Sequence, residues 1–564
     1  MRILFLLVLF SLNSSYAATQ ILAEPLKALH VQDGGRIKPF NTFATEALQL
    51  VYGKETFKGI EAEDQKIVGK RHAVDILLTW MIIPEHWSNT PIIIIRHNGL
   101  KEALGLDPQK TKKVYFSPRE LMQNDRLALL IQELNNRREA QEKLNPYYQA
   151  VQTLESQLSM FQAITSGLAL RVLPPSKDSG IDKWFSVNEL SGESQKLFAD
   201  ITKVFIQLVS SQVNGPESSE VKELKAQLNT AVEKFKDFAR AQDPEAYGSE
   251  ELVEMEVHLK DFHPFQWAWV AYLLATILAA MAFVSNKNWT KWGAWIFILL
   301  GLGLHTYGMV LRVYIIGRPP VSNMYETVIW VPWGTVLFAM ILEFFRKNYL
   351  IFVGAGLVAT LCLILSDLSP VVLDPSLHPL EPVLRDNFWL VVHVIIIVTS
   401  YAAFFLAFSL GDILMIYFLL GADKYKRVIK EGVHGIYRSI QIGVVLLALG
   451  IITGGIWADY SWGRFWGWDP KETWALIALL GYIAVLHGRL VGWVRDFGMA
   501  AASIVTFALV IMAWYGVNFV LGAGLHTYGF GAGGVEYVSA FVAAHLLFVT
   551  YVAIVHHSRL KEKS

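Results

Sequence analysis

The chain has 564 residues, of which 53% are hydrophobic and 17% charged, with 49 basic and 49 acidic side chains. A formal net charge of zero gives no electrostatic reason for a nucleic-acid partner, and we expect none. Its one cysteine, Cys362, excludes an intramolecular disulfide and a Cys-x-x-Cys motif. The chain is therefore neither a dithiol reductase nor a carrier of covalently attached haem.

The charged residues are concentrated before Phe262, whereas long apolar runs follow it. Residues 1–18 have the positive charge, the short apolar core and the small-residue cleavage pattern of a secretory signal peptide. An uncleaved anchor is the alternative. In either case we expect residues 19–262 to form an extracytoplasmic domain.

Helical periodicity dominates this first domain. Apolar residues recur at spacings of three and four in 124–170, 192–213 and 218–241. A Gly-Gly turn opens the stretch 31–50, and Asn41 and Thr42 can cap the helix that follows. The domain is therefore predicted to be mainly helical, without a recognisable catalytic constellation.

From residue 263 onward, apolar stretches are long enough to cross a ~30 Å hydrocarbon core at ~1.5 Å per residue. Nine such stretches occur, at roughly 264–284, 292–315, 325–345, 349–366, 388–419, 437–457, 471–491, 498–521 and 536–556. The predicted fold class is an all-α polytopic membrane protein of about nine transmembrane helices, preceded by the mainly helical extracytoplasmic domain.

Lysine and arginine are unevenly distributed among the connecting loops. Alternate loops, and the C-terminal tail, are richer in these residues than the loops between them. Cytoplasmic loops carry this excess in membrane proteins. We therefore expect a multi-pass protein of a bacterial inner membrane, with residues 19–262 and the loop between spans six and seven on the periplasmic side and the C terminus in the cytoplasm.

The loop between spans six and seven is unusually aromatic. Residues 457–474 read WADYSWGRFWGWDPKETW and contain five tryptophans. Indole favours the membrane boundary, but anchoring needs few rings, and glycine lets a flat ligand approach the backbone. We predict an aromatic platform for a flat ligand, with a crowded interfacial belt as the alternative. Its candidate residues are Trp462, Gly463, Trp466, Gly467, Trp468 and Asp469.

Asp469 also has a structural interpretation. It precedes Pro470 and lies three residues before Glu472, which is the pattern of a helix N-cap with a capping box. Capping is compatible with the aromatic platform that precedes it.

Histidines in membrane segments are costly and indicate function. His393 and His526 are predicted to lie at the same surface as the tryptophans, where two imidazoles suit axial ligation of haem iron. A pair of structural histidines is the alternative. His487 lies about 27 Å further along a helix from Asp469, near the inner side. Arg489 beside it suits a propionate or a positive-inside anchor.

The segment WGRFWGWDPKETW resembles the WWD signature of the haem-handling proteins of cytochrome c maturation. Together with the flanking histidines and GRPPVSNMYET (317–327), it is most similar to the CcsA/ResC type, the membrane half of the system II cytochrome c synthase. The resemblance covers roughly 295–557. It implies that His393, His526 and the signature hold haem at the external face, and that His487 receives haem from inside.

The resemblance implies a function. Haem b would bind non-covalently as substrate, reach the outer face, and become attached to the Cys-x-x-Cys-His segment of an apocytochrome c. The chain would be part of a holocytochrome c synthase, and a CcsB/ResB-like subunit is the expected partner, since residues 19–262 do not resemble that half. A second inner haem ligand would come from this partner, from His305 or from His545.

Two other functions stay open. A haem exporter or chaperone would use the same residues and pass haem to a separate ligase. A secondary transporter for an unrelated solute is the second, although no internal repeat typical of that class is evident.

Overall fold

The computed structural model describes residues 21–58, 61–62, 65–66, 70–106, 113–142, 144–211, 218–368, 373–379, 388–521 and 534–561. These residues form two compact units with a boundary between Asp261 and Phe262. We refer to them as the N-terminal unit and the C-terminal unit. The predicted signal peptide and His526 lie outside the described residues.

The N-terminal unit is mainly helical. Its α-helices are α1 (Phe40–Tyr52), α2 (Ala73–Ile82), α3 (Pro84–Asn89), α4 (Asn98–Ala103), α5 (Pro118–Met122), α6 (Asp125–Glu139), α7 (Pro146–Thr165), α8 (Gly192–Ser211), α9 (Ser219–Gln242), α10 (Pro244–Tyr247) and α11 (Glu250–Phe262). Short 3₁₀ turns cover Glu24–Ala28 and Val187–Glu189.

Short strands form antiparallel pairs in the described part of this unit. The strands are β1 (His30–Asp33), β2 (Arg36–Pro39), β3 (Thr56–Lys58), β4 (Glu61–Ala62), β5 (Gln65–Lys66), β6 (Lys70–His72), β7 (Ile93–Ile94), β8 (Tyr115–Phe116), β9 (Arg171–Leu173) and β10 (Phe185–Ser186). The pairs are β1–β2, β3–β6, β4–β5, β7–β8 and β9–β10. Such small pairs cannot build a core alone, so apolar helix faces supply it.

The predicted Gly-Gly turn joins β1 to β2, and both Gly34 and Gly35 have positive φ angles. The predicted helix cap is wrong. Helix α1 begins directly after β2, with Pro39 at the N-cap position, so Asn41 and Thr42 lie inside the first turn and are buried. The amide of Phe40 instead donates to the carbonyl of Leu29 at 2.7 Å, which satisfies a helix-end donor without a side-chain cap.

Two sets of polar contacts join parts of this unit that are distant in sequence. The carboxylate of Asp75 accepts hydrogen bonds from the amides of Leu22 and Ala23 at 3.0 and 2.9 Å. Arg36 makes a bidentate pair with Glu256 on α11, at 2.7 and 2.8 Å. Because bidentate pairs are directional as well as strong, this one fixes the β1–β2 hairpin against α11.

The C-terminal unit consists of long apolar helices. They are α12 (Pro264–Ser285), α13 (Asn288–Ile316), α14 (Met324–Arg346), α15 (Leu350–Leu368), α16 (Phe388–Gly421), α17 (Lys426–Trp462), α18 (Pro470–Leu490), α19 (Asp496–Ile511) and α20 (Val535–Lys561), with a π-helical segment, Met512–Leu521, continuing α19. Over the described ranges, nine helices are long and apolar enough to cross a membrane. The predicted all-α polytopic fold is confirmed.

Helices α16 and α17 pack closely along their length through glycines of α17. A Cβ at Gly443 would overlap the ring of Phe404, and one at Gly450 would be 3.0 Å from Cβ of Ile397. Small residues allow membrane helices to approach in this way, because dispersion and packing replace the hydrophobic effect inside a bilayer. This close pair forms one wall of the site described next.

Candidate functional site

An open pocket lies in the C-terminal unit, with an empty volume of about 1460 Å³ including its mouth. It is formed by the start of α14 and the segment before it, by α16, α17 and α18, and by the π-helical segment. Its lining is mostly apolar and aromatic, with few polar groups. That composition is typical of sites for organic ligands. The polar lining residues with side chains able to bind a ligand are Ser322, Asn323, Thr327, His393, Lys471, Glu472 and Asn518.

His393 is the imidazole that lines this pocket. Its Nδ1 is 2.7 Å from the carbonyl oxygen of Gly450 on α17, so Nδ1 donates and the lone pair of the neutral ring is on Nε2. The ring lies parallel to that of Trp457, with an interplanar angle of 6° and centroids 6.3 Å apart. A hydrogen bond of this kind fixes the orientation and tautomer of metal-binding histidines.

Glycine makes this position possible. A Cβ at Gly454 would be 2.6 Å from Cε1 of His393, which is closer than real Cβ contacts allow. The next residue, Gly455, accommodates the ring of Phe465 in the same manner. The adjacent Gly454-Gly455 pair thus admits one ring from α16 and one from the aromatic loop.

The predicted tryptophan platform is brought together in part. Trp457 is buried and lines the pocket with Trp466. Trp462 contacts Trp457 edge-on with ring centroids 4.6 Å apart. Trp468 contacts Trp466 at 5.6 Å but is 69% exposed. Trp462 and Trp468 therefore support the lining rings without lining the pocket themselves.

Positive φ angles shape the loop that carries these rings. Gly463 ends α17 in the left-handed region at φ +68°, a conformation that suits glycine at a helix end. Trp468 has φ +58°, which is uncommon for a bulky residue. The backbone at Trp468 turns the ring outward just before α18 begins.

Polar contacts of Glu472 hold the loop against α18. Its Oε2 accepts from the amide of Gly467 at 2.7 Å, and its Oε1 is 3.1 Å from Nη1 of Arg464. A Cβ at Gly467 would overlap the guanidinium of Arg464. The predicted role of Gly467 in letting a ligand approach thus has a second explanation, which is room for Arg464.

Asp469 caps α18 as the sequence predicts. Its Oδ1 accepts from the amides of Lys471 and Glu472 at 2.9 and 3.0 Å, and Glu472 completes a capping box. Asp469 is buried and does not line the pocket. Its assignment as a haem-contacting residue stays a prediction.

A buried charged triad supports the opposite wall. Glu326 on α14 is 2.7 Å from Nη1 of Arg318 and 3.3 Å from Nη2 of Arg312, and all three residues are buried. The arginines also donate to the carbonyls of Pro375 and His378 at 2.8 and 3.1 Å. Because a buried charge is stable only when paired, the triad fixes the wall that follows α13.

The other predicted histidines lie elsewhere. His487 is near the far end of α18, exposed, with Nδ1 2.9 Å from its own helix's Ile483 carbonyl. His305 is fully buried, with Nδ1 3.3 Å from the hydroxyl of Tyr272. His545 on α20 has Nε2 3.4 Å from Asp412. These three do not line the pocket, and His526 lies outside the described residues.

Sequence reasoning missed several contributors to this site. The sequence analysis assigns Glu472 to a helix cap and gives Lys471, Asn518 and Gly454 no role in the site. Two signals could have found them. The glycines at 450, 454 and 455 form the small-residue pattern that is typical of close helix contacts. The carboxylate of Glu326 lies within an apolar helix, which predicts a charged or polar partner for it.

A family model described as Cytochrome C assembly protein matches residues 321–526. NrfI of Wolinella succinogenes is 28% identical over 522 residues, covering 88% of this chain and 53% of NrfI. The chain therefore spans about half the length of that relative.

A second relative is matched over nearly its whole length. Cytochrome c biogenesis protein CcsA of Parasynechococcus marenigrum is 31% identical over 293 residues, which are 46% of this chain and 94% of CcsA. Among solved structures, cytochrome c haem lyase CcmF aligns with a TM-score of 0.37 and 15% identity, covering 52% of this chain and 50% of CcmF.

Proposed function

This chain belongs to the CcsA-type cytochrome c biogenesis proteins, and from that premise we propose that it binds haem b in the pocket beside His393 and promotes covalent attachment of the haem to an apocytochrome c. Haem is the substrate of this reaction, held non-covalently before transfer. The observation that carries the proposal is the orientation of His393, whose Nδ1 is fixed by the carbonyl of Gly450. Because Nδ1 donates that bond, Nε2 carries the lone pair that we propose binds the haem iron.

The surroundings of His393 fit a porphyrin. Trp457 lies parallel to the imidazole, and Trp466, Tyr401 and Trp514 add aromatic surface to the pocket. A porphyrin is flat, apolar across its faces and anionic at one edge, so it gains from aromatic contact together with a few polar groups. His526 is the proposed second ligand on the strength of the family resemblance alone.

In this mechanism the chain positions its substrate and performs no acid or base chemistry. His393 holds the iron, and the α16–α17 wall and the aromatic loop orient the ring so that its vinyl edge meets the cysteines of the apocytochrome. Each thioether forms when a thiol S–H adds across one vinyl C=C, a step that needs no external oxidant. Orientation of two reactants at one surface can supply a large part of the rate.

The wider pathway follows the family expectation. We propose that haem enters near His487 from the cytoplasmic side, and that the pocket opens to the periplasmic side with the N-terminal unit. We also propose a CcsB/ResB-like partner, because in the described part of the chain His487, His305 and His545 contact Ile483, Tyr272 and Asp412 and not one another. A partner histidine would then complete an inner site.

An absorption spectrum of the purified full chain tests the proposal. We expect a Soret band in the wild type that is lost or shifted in His393→Ala and His526→Ala. Added imidazole should restore the band in His393→Gly, because the free ligand can occupy the vacated position. His86→Ala, in the N-terminal unit, is the matched control and should leave the spectrum unchanged.

Transfer is tested separately. The chain is co-expressed with an apocytochrome c in cells lacking their own maturation system, with and without the CcsB-like subunit, and covalent haem is stained after denaturing electrophoresis. Bound haem without thioether formation in either case would favour an exporter or chaperone. A wild type with no Soret band would refute haem binding and favour an unrelated transporter.

A further inference from the structure

Lys471 places a positive charge in the wall of the same pocket. It is the second residue of α18 and lines the pocket with apolar neighbours such as Met324, Ile397 and Trp514. An ammonium carries three donors. Within the described residues, the side-chain acceptor that Nζ meets is Oδ1 of Asn518, at 3.2 Å.

Nearby carboxylates are engaged by other donors. Glu472 bonds Arg464 and the amide of Gly467 through its two oxygens. Asp469 accepts from the amides that begin α18. The hydrogen bonds of these two acids therefore go to the loop and to the helix cap, although the charge of Asp469 also acts on Lys471. The Lys471 ammonium donates to the amide oxygen of Asn518 in a largely apolar pocket.

Asn518 holds this arrangement. Its Nδ2 donates to the carbonyl of Trp514 at 3.2 Å, one turn earlier in the π-helical segment, which turns Oδ1 toward Lys471. π-Helical turns recur at functional sites, because the extra residue re-aims side chains. Here the π-helical segment presents Oδ1 of Asn518 to the Lys471 ammonium. This contact keeps the ammonium directed along the pocket wall.

We propose that Lys471 is an anion-binding residue of the pocket that pairs with a carboxylate of the bound ligand, and that Asn518 positions it. The inference rests on the proposed function, in which that carboxylate is a haem propionate. A charge pair formed in an apolar pocket is stronger than one in water, so Lys471 would set the orientation of the ligand edge opposite the groups that react. His393 and Lys471 would then bind different parts of one substrate.

The proposed role of Lys471 is tested with two porphyrins that differ in the charge of their propionate groups. Iron protoporphyrin IX and its dimethyl ester are titrated into the purified full chain, as wild type, Lys471→Gln and Lys471→Arg. We expect Lys471→Gln to weaken binding of the diacid by about tenfold, the order of one charge-assisted contact, and to change binding of the diester less than about twofold on the same reasoning. Lys471→Arg should retain most of the preference for the diacid.

Binding of the diester also reports that the variant pocket is intact. Lys424→Gln, in the segment between α16 and α17 and outside the pocket lining, is the matched control for loss of one lysine. Equal weakening of both probes by Lys471→Gln, or no weakening of either, would overturn the anion-binding role while leaving haem binding in place. Failure of the wild type to bind either probe through His393 would overturn this inference and the proposed function together.

Discussion

Gly454 on α17 faces His393 on α16 so closely that a Cβ at residue 454 would be 2.6 Å from the imidazole Cε1. The same imidazole is held by the carbonyl of Gly450, one turn earlier on α17. The position of the proposed iron ligand is therefore set by the backbone of a neighbouring helix. Two glycines of that helix supply the acceptor and the space.

Replacing Gly454 with alanine should displace the ring of His393. A methyl group inserted into a close contact typically costs ~1–3 kcal/mol, and the imidazole is the neighbour that must move. We expect Gly454→Ala to weaken binding of iron protoporphyrin IX by about tenfold, measured by Soret titration of the purified chain.

Gly303→Ala is the matched control for this substitution. Gly303 lies in α13, and a Cβ there would meet nothing within 4 Å. Alanine also favours helix by ~1 kcal/mol over glycine, so this variant should be as stable as the wild type and bind the porphyrin equally well. Equal weakening in the two variants would show that Gly454 has no special relation to His393.

Replacing Glu326 with glutamine should destabilise the C-terminal unit. The substitution leaves Arg312 and Arg318 buried beside a neutral amide, and removal of one partner from a buried charge cluster costs ~3–5 kcal/mol. We expect a correspondingly lower midpoint of unfolding in a denaturing-detergent titration of the full chain. Porphyrin binding should also weaken, because the segment before α14 lines the pocket.

Glu431→Gln provides the comparison. Glu431 pairs with Arg427 at 2.9 Å, but the arginine side chain is 90% exposed. Exposed pairs contribute ~0–1 kcal/mol, so this change should be nearly silent. If both glutamine variants unfold at the same midpoint, the buried triad is not the support that the geometry indicates.

Acid should destabilise the N-terminal unit through two histidines. Burial lowers the pKa of His30 to about 4, assisted by the charge of Lys236. Burial likewise lowers the pKa of His72 to about 4, assisted by Lys27. Because the unfolded value is ~6.5, the unfolded chain takes up these protons first. Stability from the two neutral rings is present above pH ~6.5 and is lost as the pH falls toward ~4.

Protonation of Asp75 has the opposite effect on stability over the same pH range. Burial raises its pKa to about 6, so its folded form gains a proton before the unfolded form does. That group alone favours the folded state as the pH falls from ~6 to ~4. The two histidines outweigh the one carboxyl group, and the net effect of these three groups is a loss of stability in acid.

His30→Phe separates these contributions. Phenylalanine can keep the stacking contact with Tyr247, whose ring centroid is 4.1 Å from that of His30, but it cannot titrate. Between pH 7 and pH 4 we expect the variant to lose up to ~3 kcal/mol less stability than the wild type. Pulse proteolysis of the full chain in urea, read on fragments of the N-terminal unit, gives the measurement.

His86→Phe is the matched control, because His86 contacts Trp87 edge-on with ring centroids 5.5 Å apart. It gives the effect on stability of replacing an imidazole with a phenyl ring. Parallel pH profiles for wild type and His30→Phe would contradict the assigned titration of His30. A profile that becomes steeper in the variant would reverse its sign.

Much of the fold was predictable because its signals are local. Length and apolar content alone mark membrane helices, and the predicted spans agree with α12 to α20 and the π-helical segment. The Asp469 cap was also predictable, since it depends on residues two and three positions away. The Asn41–Thr42 cap was wrongly predicted because a strand leads directly into α1, and a local pattern does not encode that path.

The site was predictable only in part. His393 and Trp466 were identified from residue type and position, and both line the pocket. Trp468 belongs to the same motif yet turns outward, because its backbone adopts a positive φ angle. Motif membership therefore predicts that a residue lies near the site, and the backbone conformation determines which ring faces the ligand.

The sequence alone was enough to predict a helical membrane protein, and the described residues contain nine helices that are long and apolar enough to cross a membrane. It also showed an aromatic, glycine-containing loop between two of these helices and histidines near it. Those features follow from composition and from neighbours within one helical turn. Three contacts became visible only in the folded chain: His393 with the carbonyl of Gly450, 57 residues away, Lys471 with Asn518, and Glu326 with two arginines. Such contacts depend on which helices pack together and at what rotation, and no local spacing of side chains specifies either.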